Sequence, residues 1–241
     1  MAESVDNTKL ASADPILLRS RKLALSNASK NLSKYSTVLN VCGVIYGTDR
    51  RDGASPFGNG NDEAVGVATL TMIASRLIRG ILDSTKRRDI YCAGALARQL
   101  VEVEYLFWAF SNEKRDAAEW LRSNSTVRKQ KYQPRHIHED SNKFFSTSDY
   151  GHHCEVGGHP TPQMRHLLFH DDPIALDILI NDCCHHCSRI MIYFLKWLER
   201  YDFRNADQFA TIIPTIDFLR RHMSEDGFAR EVRVSLDMVN P

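Results

Sequence analysis

The sequence has little of what marks strands, membranes or nucleotide enzymes. Strand-like alternation is confined to Val232, Val234 and Leu236, so almost no sheet is expected. No window of about 18 uncharged apolar residues stands out, so no membrane span is expected. Met1 to Asp14 is polar, lacks the apolar core of a secretory signal and reads as a disordered segment. There is no Walker-type phosphate loop, no Gly-rich dinucleotide turn after a strand, no HExxH helix and no GxSxG elbow. Nucleotide-dependent enzymes, zinc-helix proteases and serine hydrolases are thereby disfavoured. Charge of one sign is also lacking: 31 Lys and Arg stand against 30 Asp and Glu. Global charge therefore gives no argument for a nucleic-acid or membrane binder. The runs Lys86–Arg88, Arg128–Lys131 and Arg220–Arg221 read as solvated faces. Six cysteines without a secretory context read as reduced thiols of a cytoplasmic protein.

What is present is a helical scaffold. The 241 residues are 43% hydrophobic, enough for one domain with a real core. Helical spacing predicts helices over 15–46, 63–85, 89–111, 113–122, 173–201 and 206–223, with a partly helical stretch at 125–145 interrupted by Pro134. The segments 47–62 and 146–172 are rich in Gly, Pro, Asn and Asp and read as long loops, and 224–241 as an irregular tail. The expected architecture is an all-α antiparallel bundle over 15–223.

Thirteen of the sixteen His and Cys residues lie between His136 and Cys187. Chemistry is expected there. The run Cys183–Cys187 (CCHHC) resembles a zinc knot, but a helix turns Cys183 and Cys187 toward the apolar face of Leu176, Ile180 and Phe194 and His185 the other way, with His186 at the boundary. Core packing is the preferred reading of these cysteines. The alternative pairs Cys183 and Cys187 with two ligands from the loop between His152 and His159.

The third helix is apolar nearly all round and should lie centrally. Arg98 and Glu102 stand four apart on it, away from the Leu96, Leu100, Val103, Phe107 and Phe110 face. They form either a surface pair of about 0.3 kcal/mol or a partly buried pair lining a pocket.

An Arg-x-x-x-Glu helix followed by a Tyr segment ending in His-Pro (Tyr150 to Pro160) resembles the DUF5677 family of bacterial helical proteins. The likeness spans roughly Ile90 to Leu198 and carries over Arg98, Glu102, Tyr150 and His159. The family's Leu-Ser element is missing here, and Cys154-Glu155 stands nearby instead. That family in turn is similar to the HEPN superfamily, many of whose members are metal-independent ribonucleases of toxin and phage-defence systems. The string RHLLFH fits the superfamily's signature, Arg, a polar residue, a few others, then His, through Arg165, His166 and His170. The resemblance implies a HEPN-like fold, RNA as substrate, a homodimer with two sites facing one cleft, an antitoxin or defence-system partner, and no cofactor. Arg98 would hold a phosphate, Glu102 would orient Arg98, and His159 would act as acid/base, with Arg165 and His170 as the alternative pair. Two other readings compete. One is a non-catalytic interaction or dimerisation module. The other is a metal-dependent hydrolase using His152, His153, Cys154 and His159.

Overall fold

The protein's structure is a computed structural model that describes residues 15–47, 62–142, 144–145, 147–155, 161–165, 168, 173–201, 214 and 217–221. All regular elements among these residues are helical, as the sequence leads one to expect. The N-terminal segment, the expected 47–62 loop apart from Gly47 and Asp62 (which end α1 and begin α2), most of the expected 206–223 helix, the tail from 224 and the alternating Val232–Leu236 stretch lie outside the described residues, as do His159, His166 and His170.

Four long helices make the body: α1 (Pro15–Gly47), α2 (Asp62–Lys86), α3 (Ile90–Ser111) and α8 (Pro173–Arg200). Between α3 and α8 run α4 (Ala117–Arg122), α5 (Ser125–Lys131), α6 (Pro134–Asp140), α7 (Thr147–His153) and a 3-10 turn (Pro162–Met164). Around the bundle the order is α1, α2, α3, α8, with α8 packed on both α3 and α1.

The first three helices alternate in direction. The α2–α3 connection is a tight turn in which Arg88 adopts φ 60° and the Asp89 side chain accepts the Cys92 backbone N–H at 3.0 Å. That cap opens α3. At the α1–α2 crossing, Ser36 and Ser75 each donate to the other's carbonyl, at 3.0 and 2.8 Å. A Cβ on Gly43 would come within 2.4 Å of Met72 Cγ and 3.0 Å of the Ala68 carbonyl, so this approach needs glycine.

The last long helix does not alternate. Tyr35 bonds Ser188 and Tyr46 packs on Phe194, so α8 runs parallel to α1. Glu104 bonds His186 and Phe107 packs on Phe194, so α8 runs parallel to α3 as well. The excursion through α4–α7 returns the chain to the starting end and makes this parallel entry possible. The bundle is antiparallel in its first three helices only.

α3 lies centrally, with Leu100, Val101, Phe107 and Ala109 fully buried. α2 is long and apolar enough to cross a membrane, and more than half of its most apolar stretch is buried within the bundle.

Candidate functional site

Two polar clusters sit where α7 crosses between α3 and α8. The sequence reading places 146–172 in a loop. The structure instead has two turns of helix at Thr147–His153. Aromatic packing seats it: Phe145 stacks on Tyr105 at 3.9 Å between ring centroids, Trp108 meets Phe144 and Phe145, and Tyr150 lies 5.8 Å from Tyr105. Long-range contacts with α3 override the local Gly and Ser content, which alone would not hold so short a helix.

The first cluster joins Arg98, Glu102 and Tyr150. Arg98 Nη2 lies 2.7 Å from Glu102 Oε1. The Tyr150 hydroxyl accepts from Arg98 Nη2 at 3.3 Å and donates to Glu102 Oε1 at 3.1 Å. The Arg98 and Glu102 side chains are 24% and 33% exposed, so the pair is partly buried rather than solvated. Burial works against the Arg98 charge, but Cys154, Glu102 and Tyr150 more than offset it, and the guanidinium stays charged. Burial and Glu102 push the Tyr150 phenol well above its ordinary range. Arg98 Nε is buried with no hydrogen bond among the described residues.

The second cluster is more deeply buried. Asp182, His186 and Arg189 fall on one stripe of α8 at i, i+4 and i+7. α7 contributes His153 and α3 contributes Glu104. His186 Nδ1 lies 2.5 Å from Glu104 Oε2, and Arg189 Nε donates to Glu104 Oε1 at 2.7 Å. Arg189 Nη2 also lies 2.7 Å from His186 Nδ1, where a protonated Nδ1 could not accept it. The charged carboxylate wins that competition, so Nδ1 carries the hydrogen. On the far side of the ring, His186 Nε2 faces His153 Nε2 at 3.2 Å and Asp182 Oδ1 at 3.4 Å. His153 Nε2 lies 3.3 Å from Asp182 Oδ2. Glu104 and His186 are each 1% exposed. Burial would raise Glu104, but Arg189 and His186 hold it below its usual range. Burial would lower His186, but Asp182 and Glu104 lift it to about 9. Asp182 is likewise held low against burial by His186 and His153. Asp182, His153 and His186 are the described residues that together could hold a metal ion.

The CCHHC run divides as its helical phase predicts. Cys183 and Cys187 are fully buried, and burial pushes their thiols well up. They pack the core beside Cys184, whose thiol meets the Ala28 carbonyl at 3.5 Å. His186 is corrected from the boundary to the interior, because Glu104 supplies the polar partner that admits an imidazole there. Arg189 turns inward to the same carboxylate. Arg165 is exposed at the end of the Pro162–Met164 turn. Glu104 and Asp182 are absent from the sequence-based candidates. A carboxylate inside the apolar stretch Val103–Phe110 and the Asp-x-x-x-His-x-x-Arg stripe of α8 were the signals available.

Together the fold and these clusters define an all-α bundle with an ionised polar centre between α3, α7 and α8. No protein-family model, curated protein or solved structure matches the chain.

Proposed function

We propose that this is a HEPN-like helical protein that cleaves RNA, with Arg98 as the phosphate-holding group. The observation that supports it is the meeting of Arg98, Glu102 and Tyr150 across 48 to 52 residues of chain. These are three of the four positions that the resemblance carries over. Glu102 and Tyr150 fix the guanidinium, and Nε, which has no hydrogen bond among the described residues, would supply a donor to an oxyanion. In such a site an oxyanion takes over part of the Glu102 contact and Arg98 stabilises the charge that develops on phosphorus oxygens. A nearby imidazole takes the 2′-hydroxyl proton and returns one to the leaving oxygen. His159 is the proposed imidazole, with Arg165 and His170 as the alternative pair. A homodimer in the cytoplasm and a defence-system or antitoxin partner belong to the same proposal.

The test is cleavage of end-labelled total RNA by the purified chain in excess EDTA. His159→Ala, His170→Ala and Arg98→Lys are run in parallel. Cleavage that Arg98→Lys and one His substitution abolish supports the proposal and chooses the histidine. Intact RNA contradicts it and favours an interaction module.

A further inference from the structure

We infer that His153, His186 and Asp182 bind one divalent transition metal of the zinc class between α7 and α8. The inference is independent of the RNA reading, since it concerns the second cluster and not Arg98.

Ligand spacing carries it. Two atoms each about 2.0–2.1 Å from a zinc ion at the tetrahedral angle stand about 3.3 Å apart. Here the two imidazole Nε2 atoms stand 3.2 Å apart, and the Asp182 carboxylate turns one oxygen to each ring, Oδ2 at 3.3 Å from His153 Nε2 and Oδ1 at 3.4 Å from His186 Nε2, so both carboxylate oxygens face the gap. The two imidazole rings meet edge to face at 67° with centroids 5.1 Å apart, so both Nε2 atoms aim at the gap that the carboxylate closes.

The surroundings fit as well. Glu104 holds the His186 Nδ1–H, so a metal at Nε2 would displace only the proton that faces His153 and Asp182. A carboxylate on the back of a ligating imidazole is the usual means of fixing its tautomer and raising its basicity. Arg189 in turn fixes Glu104. The Nε2 atoms of His153 and His186 converge with the Asp182 carboxylate, whose side chain is 31% exposed, where a positive charge between them is favoured. Two imidazoles and one carboxylate suit zinc, cobalt or iron, whereas calcium and magnesium take oxygen ligands. Three protein ligands leave one position for water or a bound molecule. The competing occupant is a proton on His186, with no metal.

The full chain, stripped with a chelator and dialysed, would be titrated with cobalt(II) and the visible absorption followed. The expected result is one equivalent bound with the intense bands of a tetrahedral site, displaced by zinc. His153→Gln and Asp182→Asn should each weaken binding at least tenfold, with helical circular dichroism retained. Glu104→Gln should weaken it by roughly 10–100-fold. His152→Gln, at the exposed neighbouring position, should leave it unchanged. Absence of the bands, or affinity that His153→Gln and Asp182→Asn do not lower, overturns the inference and leaves a proton as the shared charge.

Discussion

Glu104 is the residue on which the polar centre depends. It is a carboxylate with 1% of its surface exposed, held by Arg189 on one oxygen and His186 on the other. Removing one partner of a buried ionic network leaves the others desolvated, which costs several kcal/mol. Glu104→Gln keeps the shape and removes the charge. It should destabilise the fold by roughly 3 kcal/mol in urea denaturation. A loss below about 0.5 kcal/mol, the level of ordinary surface substitutions, would show that the network is solvated. The cysteines give a second check at the same scale. Cys92 is exposed, although Asp89 raises its thiol, and Cys154 is partly exposed, while Cys42, Cys183, Cys184 and Cys187 are buried and burial raises their thiols. A native thiol titration should therefore modify Cys92 first and Cys154 more slowly, with the other four reacting only on unfolding. The inward direction of Cys183 and Cys187 was legible from helical phase alone. Glu104 was not, because its partners Arg189 and His186 lie more than 80 residues away in sequence, and a carboxylate at a core position is admitted only when they arrive.

Among the elements, α3 was the most readable. Its all-round apolarity placed it centrally, whereas the Arg98–Glu102 spacing left a surface pair and a partly buried pair open, and the structure has the latter. Its start depends on Asp89, whose carboxylate is held below its ordinary 3.8 by the Cys92 thiol and by the Cys92 backbone N–H that it accepts. A depressed carboxylate stabilises the folded state above its unfolded value and loses that contribution as pH falls through the folded one. Asp89→Ala should thus cost about 1 kcal/mol at neutral pH. Thermal melts of the two proteins should converge as the pH drops below 3.8. A gap that persists in acid would mean that Asp89 acts through something other than its ionised cap. α7 was the least readable element. Its sequence, Thr147 to His153, carries Gly and Ser and no apolar period. The Tyr105–Phe145 stack and the Tyr150 bonds to α3 hold it in place. Both are tertiary contacts that no local window contains.

For the whole molecule, the all-α class follows from the periodicity, whereas the direction of α8 does not. A run of helices with short connections suggests alternation, but the α4–α7 excursion is long enough to bring the chain back and start α8 alongside α1 and α3. That return places α8's Asp182–His186–Arg189 stripe against Glu104 and under α7. The polar centre is therefore a product of topology, and its two faces serve separate proposals: phosphate chemistry at Arg98 and metal binding at His153, Asp182 and His186. If α7 and α8 hold one metal ion through His153, Asp182 and His186, native mass spectrometry of the full chain, incubated with excess zinc and then desalted, will show it. The expected result is a single species heavier than the bare chain by one zinc ion, and loss of that increment in Asp182→Asn. A bare-chain mass, or a zinc adduct that Asp182→Asn retains, would contradict it.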